Sequence, residues 1–493
     1  MTTAVTLGGR RLDDEVGHHF AAMLRCVVPS KKHPRLLLAT PPDGHCPSFV
    51  MRDGAHAARV LGRLVLSERR YDCERTAFEL LRASAHFTLD AQESDGSFGH
   101  RYGRDGEPQS LWRQEEATAH ALCILSTFLL VAREADKSVP QLGDFLDAID
   151  RALSHAFGSV FDAEVGLFRS TTAGTDSALD TGYSLWTNAA YVHAARLSHE
   201  VARTVDSPNR ISRSHPVFHE DLAERLDRLV VGGRWVRRLD ETGRPDFRPD
   251  AALLAPTRFG IRFRPEASTR AVSEVASRLP DPELGLLRRT IAWGGCPDTR
   301  VQGGGGAWPE HAAALAQWYF DDGKDEEAGL RLLDALAEAT DEDGNLPQIL
   351  TTRARFESHW SDEWQTGREA ERAFDRRILR NDVPFERLLA EANAMSTAYG
   401  KTRSRIAVRP AESGAPGGGT VRFGAPCLAA HAEALRAWLV AAGDWSEPGD
   451  ARKEPGPAQE PQPLDASRPR GEASPADRTE PPTDAAFEER TWS

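Results

Sequence analysis

The sequence predicts an all-α chain, built as a toroid of helical hairpins with a disordered C-terminal tail. Three observations lead there. Apolar residues recur at helical spacing along most of the chain, turns rich in Gly and Asp separate them, and alternating β patterns are scarce. About eleven or twelve helices joined by long loops at one end suggest paired helices closed around a central pit, where a ligand pocket would form. No segment repeats another closely enough for a solenoid.

The elements follow in order. Ala57 to Leu66 places its apolar residues at helical spacing, and so do Ala77 to Phe87, Ala117 to Val131, Ala189 to Val201, Leu222 to Val231, Ala312 to Tyr319, Leu330 to Ala339 and Ala429 to Val440. The intervening turns read SDGSFGHRYGRDG, AGTDSALDTG, CPDTRVQGGGGAWP and TDEDGNLP. Gly232 to Arg238 suggests one short strand. From Ser446 the chain turns rich in Pro, Glu, Asp, Ala and Arg and loses its large apolar residues. Such a segment buries too little surface to offset its ordering entropy. The expected division is therefore a barrel over 1–445, its six hairpins spanning about 15–442, and a disordered tail over 446–493.

Composition narrows the partners. The 493 residues are 40% hydrophobic, 27% charged and 8% aromatic, with 61 Lys and Arg against 74 Asp and Glu, a net charge of −13. So acidic a body is ill-suited to phosphate backbones or anionic membranes, so neither nucleic acid nor membrane is expected as a partner. The six cysteines (Cys26, Cys46, Cys73, Cys123, Cys296, Cys427) form no CxxC pair and read as reduced thiols. The first twenty residues lack the apolar core of a signal peptide. The apolar run from Ala121 to Ala132 is short for a bilayer span. A cytoplasmic location is the expectation.

Generic motifs are few. Gly303 to Gly306 lead into Ala-Trp-Pro without the Lys-Ser/Thr of a phosphate loop. His18 and His19 are adjacent and face different ways on a helix, and no HExxH or GxSxG occurs. No metal or cofactor is expected. What remains is a set of loops that each combine aromatic residues with carboxylates and neighbouring polar groups: Phe49 to Gly54, Ser110 to Ala119, Asp180 to Asn188 and Gly306 to His311. Aromatic faces stack on sugar rings, while Arg and carboxylates match adjacent hydroxyls. Each acid taken alone also reads as a helix cap or first-turn carboxylate. Four such loops point to a shared saccharide pocket.

The order of these segments resembles the glucoamylase-like glycoside hydrolases of family fifteen, which include trehalases and glucodextranases. The W-x-R-D segment resembles Val50-Met51-Arg52-Asp53, with its aromatic displaced to Phe49. Q-x-D-E-T-A resembles Gln114 to Ala119, preceded by a turn like Asp95 to Gly106. D-a-s-L-L resembles Asp250 to Leu254, and d-p-x-x-G-L-x-R resembles Asp281 to Arg288. G-G-x-W-P resembles Gly305 to Pro309, and P-L-x-x-S-H-A-E resembles Pro426 to Glu433. The resemblance covers roughly 45–440 and implies an (α/α)6 barrel that cleaves an α-glucosidic bond of an oligosaccharide or disaccharide. It implies a pocket lined by Arg52, Asp53, Trp112, Glu116, Tyr183, Trp186 and Trp308, with Arg52 and Asp53 gripping a terminal sugar.

The departures fall on the acids. The family's general acid falls at Ala178 and its base at Gln348. Inversion needs two carboxyl groups about 6.5–9.5 Å apart, one protonated and one ionised, and neither Ala nor Gln can serve. Neighbouring acids are the expected substitutes: Asp180 or Asp176 for the acid, and Glu342, Glu357 or Glu363 for the base, with Asp180 and Glu342 first. Asp180 reads equally as the N-cap of the helix containing Trp186. The competing outcome is a catalytically silent glycan-binding or scaffold relative. A third reading, a terpene-cyclase-like toroid, rests on Gln92 to Gly99, which resembles one Q-x-x-D-G-x-W/F element; no second clear copy and no D-x-D-D motif occur. The charged insertion Phe356 to Lys401 would cap the pocket or meet a partner.

Overall fold

The computed structural model describes residues 5–30, 32–43, 46–108, 114–170, 182–205, 211, 219–290, 306–352, 407–410, 419–423 and 425–447. The chain divides into a unit Met1–Asp450 and a second, Ala451–Ser493, and every described residue lies in the first. Twelve α-helices stand among the described residues: α1 Leu12–Arg25, α2 Met51–Leu66, α3 Glu74–Asp90, α4 Glu116–Glu134, α5 Leu142–His155, α6 Leu185–Thr204, α7 His219–Arg225, α8 Ala255–Arg258, α9 Pro265–Arg278, α10 Pro309–Trp318, α11 Glu326–Ala339 and α12 Leu428–Ala441. The even-numbered helices touch in sequence, α2 to α4 to α6 to α8 to α10 to α12 and back to α2. The odd-numbered helices pack outside them: α1 on α12, α3 on α2 and α4, α5 on α4, α7 on α6, α11 on α10 and α12. The fold is an (α/α)6 toroid.

Composition separates the two rings. Outer helices are amphipathic; α5 buries Phe145, Leu146, Ala148, Ile149, Ala152 and Leu153 and turns its remaining residues outward. Inner helices are enclosed on all sides, and α4 buries every residue from Glu116 to Ala132. By length and composition α4 is also long and apolar enough to cross a membrane, but here that apolarity meets its neighbours in the ring. Small residues let the inner helices approach closely. In α12, Ala429, Ala430, Ala432, Ala434 and Ala437 are all buried.

The eighth helix is the irregular member. Asp250 accepts from Ala252 N at 2.7 Å, capping a 3-10 turn Ala251–Leu254 that runs directly into α8. Arg237 Nε donates to the other Asp250 oxygen at 2.9 Å. This accounts structurally for the D-a-s-L-L segment. The stretch Gly232 to Arg238 is not one strand. Val230–Val231 and Arg234–Trp235 form a hairpin about Gly232 and Gly233, both at positive φ, and Arg238–Leu239 pairs with Tyr183–Ser184 and Pro245–Asp246. The apolar run ending at Val231 likewise leaves the helix at Arg225, through a 3-10 turn.

The C-terminal end of the ring is closed by the residues after α12. Asp444 accepts from Ser67 and Tyr71 hydroxyls, each at 2.8 Å, and pairs with Arg63. Arg436 lies 4.7 Å from the centre of the Trp445 ring, and Glu447 is buried between Arg59 and Arg436. The barrel therefore runs past the boundary read from the sequence, because Ser446 and Glu447 are held by Arg63 and Arg59. The remainder of the expected tail, and the insertion 356–401, lie outside the described residues.

The element resembling a terpene-cyclase repeat has a different task. Gln92 Nε2 donates to the Ala148 carbonyl at 2.8 Å, tying the end of α3 to α5. Gly96 sits at φ +86°, and a Cβ there would lie 2.3 Å from the Arg151 carbonyl oxygen. Gly96→Ala should cost more than about 1 kcal/mol, since both the backbone angle and the space oppose it. Urea unfolding measures this, and a midpoint equal to the parent's would contradict the tight turn.

Candidate functional site

The inner helices run parallel, so their N-termini gather at one end of the toroid. The N-cap positions of α2, α4, α10 and α12 are Val50, Glu115, Trp308 and Cys427, none with a capping side chain. The positive ends of the helix dipoles thus gather at the same end, while backbone carbonyls fill some of the first N–H groups, His100 accepting from Met51 and Ala39 from Leu428. The first-turn acids Asp53, Glu116 and Glu310 stand on three of these helices.

Arg52 and Asp53 are both buried on the first turn of α2, with Arg52 Nε 3.3 Å from Asp53 Oδ1. On α4, Glu116 Oε2 accepts from Thr187 Oγ1 of α6 at 3.2 Å, whereas Oε1 is buried without a hydrogen-bond partner. Burial, with Glu115 beside it, pushes the Glu116 carboxyl well above the usual carboxylate range; Thr187 and Arg52 oppose this only in part. Trp186, second residue of α6, meets Phe259 edge-on at 5.3 Å and lies 5.0 Å from the Arg258 guanidinium, its indole Nε1 unpartnered. Trp308 stacks on His311 at 5.7 Å and lies 6.0 Å from the guanidinium of Arg289. Gly306 makes room for this corner. Ala307 exchanges backbone hydrogen bonds with Leu350, and a Cβ on Gly306 would fall 2.5 Å from the Leu350 carbonyl oxygen.

The floor beneath is a buried charge network. Arg258, at the end of α8, lies 3.3 Å from Glu433 of α12 and 3.5 Å from Glu310 of α10. His56 Nδ1 of α2 approaches Glu433 Oε1 to 2.7 Å, off hydrogen-bond alignment, and Gln317 of α10 donates to Glu433 Oε2 at 2.8 Å. Burial alone would raise both acids. Arg258, His56 and Arg436 hold Glu433 well below the ordinary carboxylate range, and Arg258, His311 and Arg52 hold Glu310 down to about 2. Burial, with Arg258 adding to it, lowers His56 to about 4. His311 falls to about 3 through burial, Arg258, Arg289 and Arg52, against the pull of Glu310. Among the described residues no group of His, Cys, Asp and Glu has metal-binding geometry.

The structure puts Arg52, Asp53, Glu116, Trp186 and Trp308 at the N-terminal ends of inner helices α2, α4, α6 and α10. It does not bring Tyr183 to them: its hydroxyl donates to Asp162 at 2.7 Å, in the hairpin Phe161–Phe168 that Arg169 also braces. Glu342 is exposed on a turn over outer helix α1, where Arg25 donates to the Asp343 carbonyl and His18 abuts Gly344. Beyond that turn the Leu346 N–H donates to His431 Nε2 at 2.9 Å, two residues before Gln348. Trp112, Asp176, Ala178, Asp180, Glu357 and Glu363 lie outside the described residues. The N-cap of α6 is Ser184, whose hydroxyl accepts from Trp186 N at 3.2 Å, so that cap does not belong to Asp180. Sequence reading missed the roles of His56, Arg258 and His120. A signal existed: Arg52, Asp53, His56 and Arg59 form a polar stripe at helical spacing in an otherwise apolar helix, and α4 continues it from Glu116 to His120.

Two outcomes follow from this network. Glu433→Ala should cost about 3–5 kcal/mol, because it removes the nearer of two carboxylates from the buried Arg258; chemical denaturation reads it, and a cost below about 1 kcal/mol would contradict the network's role. Stability should also drain on acidification. His56 and His311 are neutral in the fold and regain values near about 6.5 when unfolded, so the unfolded chain binds protons first. Their contribution is present above pH about 6.5 and is lost as pH falls towards 4 and 3, with Glu310 adding a loss from about 4.5 towards 2. His311→Gln should flatten the upper part of the Tm profile; a Tm constant between pH 7 and 4.5 would contradict neutral buried imidazoles.

No family model and no curated protein sequence matches this chain. Solved structures do. A wild-type glycosidase superposes with a TM-score of 0.53 at 16% identity, covering 88% of this chain and 98% of its own. The glucoamylase from Saccharomycopsis fibuligera gives 0.53 at 12% identity, over 88% and 95%. A bacterial glucoamylase complexed with acarbose gives 0.53 at 12% identity, over 88% of this chain and 56% of its own. The chain has the six-hairpin toroid fold of the glycosidases and glucoamylases.

Proposed function

We propose that this chain is a carbohydrate-active hydrolase that binds the terminal sugar of an oligosaccharide or disaccharide in the pit and cleaves its α-glucosidic bond by acid/base catalysis with inversion. The observation that carries the reading is the buried Arg52–Asp53 pair on the first turn of α2, with Glu116, Trp186 and Trp308 at the starts of α4, α6 and α10. Guanidinium and carboxylate together match vicinal hydroxyls, and the indoles offer apolar faces to a ring. The fold neighbours support a sugar ligand: one is a glycosidase variant in complex with glucose, another the glucoamylase complexed with acarbose.

Asp180 is the proposed proton donor to the leaving oxygen, two residues beyond the place of the usual acid. Glu342 is set aside as base, since its turn lies over α1. Glu310, on the first turn of α10, is the carboxylate proposed in its place. A glycan-binding relative without catalysis is the second reading. It is favoured by Ala178 and Gln348 at the usual acid and base places, and by the engagement of Asp53 and Glu310 with arginines.

Titration with maltose and glucose, followed by Trp fluorescence and Tm, should show saturable stabilisation by mass action. No shift at about tens of millimolar, well above the about 1 μM–1 mM range of typical Michaelis constants, would remove the sugar site. Under the hydrolase reading, Asp180→Asn lowers maltose turnover by about a hundredfold or more and leaves Tm unchanged. Binding without turnover in the parent protein would establish the silent reading instead.

A further inference from the structure

Glu116 differs from the other pit acids in its company. Asp53 has Arg52, and Glu310 and Glu433 have Arg258. Glu116 is 1% exposed, faces no arginine within ion-pair reach, and is held by its own backbone N–H and by Thr187, which donates to Oε2. Its Oε1 is sealed from solvent without a partner. Nearby stand further unpartnered groups on the same end of the ring: indole Nε1 of Trp186 on α6, both ring nitrogens of His120 one turn along α4, and Nε2 of His311 on α10. An orphaned buried oxygen with an orphaned indole N–H and orphaned imidazole nitrogens on the inner helices marks a place built for a hydrogen-bonding ligand and not for a packed core.

We infer that Glu116 meets the ligand as a neutral carboxylic acid, its O–H donating a hydrogen bond to an uncharged oxygen of the bound sugar. The inference rests on the sugar-binding reading above and assigns the chemistry of one contact within it. The charges that face Glu116 support the neutral form. From α2 comes Arg52, already engaged by Asp53, with His56 uncharged beyond it. From α6 come Thr187 and Tyr191, whose hydroxyl donates to the Glu115 carbonyl. From α4 itself come the repelling Glu115 and an uncharged His120. A carboxylate left in such a place would be only partly compensated by its own N–H, Thr187 and Arg52, whereas the acid form supplies a donor where an acceptor-only group would offer none. A hydroxyl or ring oxygen of a neutral sugar accepts that hydrogen bond.

The test has a ligand-free arm and a sugar arm. Difference infrared spectroscopy of the full chain against Glu116→Gln at pH about 7 should show a protonated-carboxyl C=O band that the variant lacks. A carboxylate band in its place would overturn the inference. Because a raised carboxyl favours the fold below its unfolded value and loses that advantage as pH rises, Glu116→Gln should also have the higher Tm at neutral pH. In maltose calorimetry, Glu116→Gln keeps a donor and should bind within about threefold of the parent, while Glu116→Ala should bind about tenfold more weakly. Unchanged affinity in a folded Glu116→Ala protein would overturn the contact. Failure of the parent to bind maltose or glucose would remove the sugar-binding reading and Glu116's ligand with it, while the infrared arm would still decide the protonation state.

Discussion

Closure of the inner ring depends on one buried guanidinium. Arg258 reaches Glu433 of α12 and Glu310 of α10, while its face lies near Trp186 of α6. Glu433 in turn meets His56 of α2 and Gln317 of α10. Five of the six inner helices thus converge on two side chains. The helix that bears Arg258 is only Ala255–Arg258, too short to hold its place by propensity, and the pairing fixes where it ends. Arg258 meets its two carboxylates at 3.3 and 3.5 Å with its guanidinium nitrogens outside hydrogen-bond geometry, so the loss of either acid leaves a buried charge still less compensated.

The pit inherits its chemistry from that centre. With Arg258 committed to Glu310 and Glu433, and Arg52 to Asp53, the acids at the mouth divide by environment. Arg258 holds Glu310 and Glu433 well below the ordinary carboxylate range, while burial pushes Glu116 well above it. Two kinds of carboxyl on one set of helix N-termini give the pit both acceptors and a donor, which suits hydroxyl-rich neutral ligands. His431 adds a mechanical link: one ring nitrogen lies 3.0 Å from His19 of α1, and the other accepts from Leu346, anchoring the chain just before Gln348.

Much of the toroid was legible in the sequence because the inner helices are small-residue and apolar and the turns carry Gly and Asp. α8 was not, since a four-residue helix leaves no period to read; α5 and α9 are regular, and their amphipathic patterns were passed over. The short strands are equally silent, being loop hairpins set by glycines at positive φ and not by alternation. In the candidate site, the helix-start positions of Arg52, Asp53, Glu116, Trp186 and Trp308 were legible because each lies beside a loop signal. Tyr183 shared that signal, yet its hydroxyl is spent on Asp162, a partner twenty-one residues away that spacing alone does not reveal. Arg258 was hidden for the same reason: its partners lie on helices far along the chain.

The central claim is that the pit receives a terminal sugar at the Arg52–Asp53 pair. The most direct measurement is a crystal structure of the full chain soaked in maltose. The account predicts one glucosyl ring within hydrogen-bond distance of both Arg52 and Asp53 and in contact with Trp186 or Trp308. Maltose bound elsewhere on the barrel, with Arg52 and Asp53 paired only to each other, would contradict it.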